Sequence, residues 1–209
     1  APSWTGIKTP KSWSKAMRYK KDRLKKFIAS KAFQDFQTTF SLFVEEVVNP
    51  LIGDEEGLVY QSPPTFRVQV PSSRAMGIPH KDSDYDCHVD TEVNIWLPVT
   101  DVFGTCTLFT ETQPGKGDFH PLECQYGHFV RFWGNQCFHY TMANTTDTTR
   151  VSFDFRVIPR SLYTDSFKGY IGDYPVLFTG DRQEENGKDE ASKPLPFPTE
   201  TDAGIDVTE

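Results

Sequence analysis

From Arg150 to Val157 the chain alternates residue by residue. Arg150, Ser152, Asp154 and Arg156 fall on one side of an extended strand, and Val151, Phe153, Phe155 and Val157 fall on the other. A period of two excludes a helix here. It also dictates the surroundings: the apolar side needs a packed layer against it, while the charged side needs water, a ligand or opposite charges. The chain must therefore build a sheet with one dry face and one polar face.

Other segments follow the same grammar. Phe66, Val68 and Val70 alternate with Arg67 and Gln69, and Val93, Ile95, Leu97 and Val99 alternate with Asn94 and Trp96. Further strands are predicted over 105–110, 128–133 and 136–142, separated by Gly, Pro and Asn. Many short strands with hairpin-like connections point to a mainly β fold with flanking α-helices, organised as a double-stranded β-helix, the jelly-roll or cupin-like barrel. Ahead of it, 14–30 and 33–48 carry helical periodicity, the second through Phe36, Phe40, Phe43 and Val47, a stripe suited to packing on the sheet. After about Asp181 the chain turns polar and loses most aromatics, which predicts a mobile or loosely docked tail. A chain of 209 residues then reads as one domain: 1–58 helical, 59–180 the β core, 181–209 the tail.

His80 and Asp82 are two apart, so in an extended strand both leave the same face and converge on one ion. Two imidazoles and one carboxylate on one side of an octahedral ion leave three positions open, as non-heme Fe(II) oxygenases require. His88 and Asp90 repeat the spacing. We assign the pair to His80 and Asp82 because Gly77, Ile78 and Pro79 end an approach and start a strand, whereas Asp84, Tyr85 and Asp86 make an acidic loop. For a second histidine there are His120, His128 and His139. His139 alone is followed by a hairpin that returns a cation, Arg150, toward the site. A guanidinium in that position fixes a carboxylate by two parallel hydrogen bonds, and Ser152 shares its face. Arg67 and Gln69 on one strand and Asn94 and Trp96 on another are candidates for the pocket wall. Arg156 is a candidate for an anionic substrate or for pairing with Asp154 or another carboxylate.

The run Pro79, His80, Lys81, Asp82, Ser83, Asp84, Tyr85, with Glu92 to Pro98, Pro114 to Phe119, His139 and Arg150 to Arg156, resembles the Fe(II)/2-oxoglutarate-dependent oxygenases. The likeness is to the phytanoyl-CoA hydroxylase-like branch and the streptomycin-biosynthesis oxygenase-like proteins, over roughly residues 60–160. The resemblance implies iron on His80, Asp82 and His139, with 2-oxoglutarate and dioxygen as co-substrates. It implies that Arg150 holds the distal carboxylate, assisted by Ser152, with Gln69 and Asn94 lining the cofactor side. It further implies hydroxylation or a related oxidation of a small polar metabolite, with 2-oxoglutarate converted to succinate. Because halogenating members lack the carboxylate ligand, Asp82 favours hydroxylation. The alternatives are a protein or peptide hydroxylase, a non-catalytic binding module on the same barrel, and a hydrolytic zinc site, which no general-base motif accompanies.

The net charge of −7 is unevenly spread: residues 1–31 hold ten Lys or Arg and one Asp. The acidic remainder argues against nucleic acid as a partner, and an acidic rim around Asp90 and Glu92 would suit a cationic metabolite. No run approaches transmembrane length. Cys87, Cys106, Cys124 and Cys137 lack CxxC spacing, which predicts reduced thiols in a cytoplasmic protein. Asn144, Thr145 and Thr146 form a glycosylation sequon that such a location leaves unused. The oligomeric state stays open.

Overall fold

The computed structural model describes residues 26–27, 29–85, 88–164, 170–171 and 174–180. The expected helix over 14–30 and the tail from 181 lie outside them, apart from a few residues around Phe27.

Helix α1, Lys31–Phe43, starts where Ser30 caps it by accepting a hydrogen bond from Phe33 N–H at 3.3 Å. It runs into a π-helical turn, Val44–Val48, and a last turn α2, Asn49–Ile52, which Gly53 ends in the left-handed region at φ 74°. The π turn inserts one residue, so the buried positions run Phe40, Val44, Val48, with Phe36 and Phe43 half-buried beside them, rather than ending on Val47 as the 3.6 period predicts. This stripe covers the apolar face of the strand that begins at Arg150. Phe40 meets Phe155 edge-to-face at 4.9 Å, and Phe36 meets Phe153 at 5.4 Å. Burying a ring such as Phe40 contributes about 1.5–3 kcal/mol.

The strands are β1 Leu58–Gln61, β2 Thr65–Gln69, β3 Val93–Pro98, β4 Leu108–Thr110, β5 His120–Pro121, β6 Val130–Phe132, β7 His139–Thr141, β8 Arg150–Pro159, β9 Tyr170–Ile171 and β10 Tyr174–Phe178. Strand β8 is the spine of a seven-stranded antiparallel sheet ordered β6-β3-β8-β1-β10-β9, with β2 also paired to β8. A second sheet, β5-β4-β7, faces its polar side. The two sheets share no ladder among the described residues, so what is observed of the expected barrel is a mainly β architecture of two antiparallel sheets with a cavity between them.

Local differences have local causes. The predicted strand over 105–110 begins with a 3-10 turn, Gly104–Cys106, and pairs only from Leu108. Strands β1, β5, β9 and β10 had no alternation to reveal them. All four residues of β1 are buried, so its two faces carry no contrast. Asn144 of the sequon is buried, and its side-chain amide donates to the Gln69 and Thr148 carbonyls, which leaves no free amide for a glycan. Cys106, Cys124 and Cys137 are free thiols. No helix among the described residues is long and apolar enough to cross a membrane.

Candidate metal and anion site

His80 is not in a ladder strand. It forms a single antiparallel bridge with His139 at the start of β7, each residue's N–H donating to the other's carbonyl, at 3.2 and 3.0 Å. The two imidazoles are thus set opposite each other by backbone pairing, with ring centres 4.4 Å apart. Lys81 stays extended, and Asp82 opens a 3-10 turn, Asp82–Asp84, instead of continuing a strand. That turn is docked by Asp82 N–H donating to Gly134 O and Ser83 N–H to Asn135 O. The i, i+2 geometry survives because the bend comes at Asp82 itself. Ligating atoms of His80, Asp82 and His139 all lie within 4.8 Å of one another.

Each side chain is oriented by what its other polar atoms do. His80 Nδ1 donates to Ile78 O at 2.7 Å and His139 Nδ1 to Cys137 O at 3.2 Å. A carbonyl can only accept, so both rings carry hydrogen on Nδ1 and present the Nε2 lone pair to the site. Asp82 Oδ2 accepts from Asn94 Nδ2 at 2.8 Å and from Arg156 Nε at 3.0 Å, while Oδ1 faces His139 Nε2 at 3.8 Å. Asn94 and Arg156 sit directly opposite in the β3–β8 register, which is why both reach one oxygen. Burial raises the Asp82 pKa, but Arg156 beside it, helped by Asn94, brings it down to about 2. Burial and the neighbouring His80 lower the His139 pKa against the pull of Asp82, so that ring is kept neutral at neutral pH, as a ligand must be.

Arg150 lies deeper in the same cavity, which has a volume of about 540 Å³. It is 1% exposed, yet Nε and Nη1 have no partner. Its Nη2 reaches only Met76 Sδ at 4.0 Å, and the guanidinium stands 5.7 Å from the Trp96 ring centre. Burial brings its pKa down to about 10. Ser152 Oγ, Gln69 Oε1 and Asn94 Oδ1 are also buried without partners. The other cavity arginines are engaged: Arg67 makes a two-pronged pair with Asp154, and Arg156 holds Asp82 and donates to Gln61 Oε1 at 3.2 Å.

His80, Asp82, His139, Arg150, Asn94, Trp96, Arg67 and Arg156 thus all line the cavity, whereas Gln69 and Ser152 do not. Gln69 is turned to the Met142 carbonyl at 2.7 Å. The acidic rim is not found among the described residues. Asp90 is exposed and does not line the cavity, and the lining carries three arginines against two aspartates. The repeat pair His88/Asp90 does not converge: His88 Nδ1 goes instead to Glu92 Oε2 at 2.7 Å. His120 and His128 lie outside the cavity. Sequence reasoning expected Arg156 to pair with a carboxylate but did not name Asp82, it missed the holding role of Asn94, and it missed Gly134, where a Cβ would come within 2.9 Å of the Asn94 amide. Register was the missing signal for the first two.

No protein-family model matches the chain. Over 132 residues it is 39% identical to the streptomycin biosynthesis protein StrG of Streptomyces griseus, an alignment covering 63% of this chain. The chain spans 62% of the length of that relative. Among solved structures it is similar to the non-heme α-ketoglutarate-dependent epimerase SnoN from nogalamycin biosynthesis, at TM-score 0.48 and 16% identity, covering 83% of this chain and 71% of that one. It is also similar to the carbocyclase SnoK of the same biosynthesis, at 0.41 and 14%, covering 57% and 62%, and to the nickel complex of the non-heme monooxygenase ThoJ, at 0.41 and 17%, covering 49% and 44%.

Proposed function

We propose that the chain is an Fe(II)- and 2-oxoglutarate-dependent dioxygenase that hydroxylates or otherwise oxidises a small polar metabolite, with 2-oxoglutarate converted to succinate. The observation that carries the reading is Arg150: a buried guanidinium without a carboxylate partner among the described residues, opening on the cavity that holds two imidazoles and an ionised carboxylate. A buried unpaired cation is costly and calls for an anion that the described residues do not supply. A dianion with one end on a metal and the other on Arg150 supplies it. The 39% identity to a streptomycin biosynthesis protein supports a metabolite as substrate.

The donor set suits iron: two nitrogens and one oxygen with open positions beside them. His80 Nε2, Asp82 Oδ1 and His139 Nε2 would hold it, and Arg150 would hold the distal carboxylate of 2-oxoglutarate. The bound metal supplies the means of activating dioxygen that no side chain possesses. The chain's own residues do the rest. Asn94 and Arg156 keep Asp82 ionised with one oxygen free, the Ile78 and Cys137 carbonyls set the imidazole tautomers, and Trp96 and Phe132 form apolar walls that limit water. Asp82 being a carboxylate leaves no vacancy for a halide, which favours oxygenation over halogenation.

Anaerobic titration with Fe(II) and 2-oxoglutarate tests this without a substrate. A weak visible charge-transfer band should appear in the wild type and be lost in His139→Ala. Arg150→Ala should bind metal yet need far more 2-oxoglutarate to develop the band. Bound metal with no band in the wild type would refute the reading. A band without steady succinate formation, whatever the metabolite offered, would mark a binding module instead.

A further inference from the structure

The cavity contains an imidazole that this chemistry does not use. His88 lines it, and the ring is anchored from behind by Glu92, a carboxylate 1% exposed. Glu92 Oε2 accepts from His88 Nδ1 at 2.7 Å and Oε1 accepts from Val89 N–H at 2.9 Å, while Glu92 N–H donates to Val89 O at 3.1 Å. Burying a carboxylate is expensive unless its hydrogen bonds are complete. Here they are complete, and what they hold is one face of His88. A carboxylate only accepts, so Nδ1 carries the hydrogen and the nitrogen left to the cavity is Nε2, which in the neutral ring is a hydrogen-bond acceptor.

Asp82, His88 and Glu92 also place ligating atoms within 4.8 Å of one another, so a second ion could be imagined there. The oxygens argue against it. Both oxygens of Glu92 and Oδ2 of Asp82 already accept hydrogen bonds from the protein. The cluster is a hydrogen-bonded dyad next to the metal position. A second acceptor is independent of it: Asn94 Oδ1 is buried, partnerless and on a residue of the same cavity wall. Two acceptors call for a ligand with at least two donors. Because the cavity carries three arginines against two aspartates, that ligand is better neutral than an ammonium ion.

We propose, on the oxygenase reading above, that His88 held by Glu92 is the substrate-positioning residue, and that the substrate is a neutral polyhydroxylated ring of sugar size. One hydroxyl donates to His88 Nε2, which seats the carbon bearing it, or its neighbour, beside the open metal positions. A second hydroxyl donates to Asn94 Oδ1. Tyr140 supplies the aromatic surface on which the C–H face of such a ring rests.

The test uses the full chain loaded with Mn(II) and 2-oxoglutarate, treated with diethyl pyrocarbonate and read by peptide mass spectrometry. The probes are the methyl glycosides of glucose, galactose and mannose, each beside its permethylated counterpart of the same ring. Metal and 2-oxoglutarate should shield His80 and His139 and leave His88 reactive. At least one free glycoside should slow His88 modification several-fold while its permethylated form does not. Glu92→Leu should lose that protection, and Glu92→Gln, which can still accept from Nδ1–H, should keep it. The proposal is overturned if metal and 2-oxoglutarate alone shield His88, if no glycoside protects it, or if the permethylated rings protect equally. Failure of the oxygenase reading looks different: His80 and His139 would stay reactive in Mn(II), whatever His88 does.

Discussion

Replacing Arg156 with Met keeps most of the side-chain volume and removes the charge that faces Asp82. In the wild type Asp82 is 2% exposed and its carboxyl is held at about 2 against an ordinary 3.8. At about 1.4 kcal/mol per unit, ionised Asp82 contributes about 2–3 kcal/mol to folding at neutral pH. The sign is that of a depressed carboxylate: the contribution is complete above about 3.8 and is lost as the pH falls toward 2. Without Arg156, burial and Asn94 remain, and Gln61 Oε1 loses its donor as well. Leaving one member of a buried pair uncompensated costs about 3–5 kcal/mol. We therefore expect Arg156→Met to lose about that much in urea denaturation of the metal-free protein at pH 7.5. The deficit should shrink toward pH 4.5, because the raised Asp82 pKa lets the carboxyl protonate and then need no counter-charge. Titrations common to both proteins cancel in the difference. A deficit below about 1 kcal/mol, or one that does not change with pH, would refute the claim that Arg156 is what keeps Asp82 ionised.

Arg150→Met should act in the opposite direction, raising ligand-free stability by about 1–4 kcal/mol because a buried cation without a carboxylate is replaced by an apolar chain. It should also greatly weaken 2-oxoglutarate binding, and thermal denaturation of the Mn(II)-loaded protein with and without 2-oxoglutarate reads both. Gly134→Ala puts a methyl 2.7 Å from Phe132 Cε2 and 2.9 Å from the Asn94 amide, so Asn94 must withdraw from Asp82. The expected cost is about 1–3 kcal/mol, together with weaker Mn(II) binding by titration calorimetry. Unchanged binding would clear Asn94 of its holding role. Glu111 accepts from Phe138 N–H at 2.8 Å and from Gly117 and Gly115 N–H at 2.9 and 3.3 Å, and the Phe138 bond leads in lowering its pKa. The stability it adds is therefore present at neutral pH and lost as acid protonates it. Faster amide exchange at Gly115, Gly117 and Phe138 in Glu111→Gln, and in the wild type on acidification, is the expected readout.

Much of the site is legible in the sequence because its parts are local. A histidine and an aspartate two apart, and a strand whose polar residues recur every second position, announce their geometry within a few residues. The hairpin expected between His139 and Arg150 does not form: the short connection crosses from β7 in one sheet to β8 in the other, and the facing of the two sheets is what brings both residues to one cavity. Arg156 shows where that legibility stops. Its face is evident from the alternation, yet its partner is Asp82, 74 residues away, and only the pairing of Asn94 with Arg156 across β3 and β8 brings both donors to one oxygen. His88 shows the same limit from the other side: its spacing to Asp90 matches that of the true pair, and burial of Glu92 decides what the ring does.

The sequence by itself determined the β character of the core, the polar and apolar faces of β8, and the residues from which a metal site could be made, because side-chain alternation and donor chemistry are properties of short segments. Tertiary structure alone decided the rest. Strand register chose which donors meet Asp82, the π turn chose which residues of the first helix pack, and the meeting of two sheets left Arg150 buried without a counter-charge. Those outcomes depend on residues far apart in the chain, and no local period encodes a distance between them.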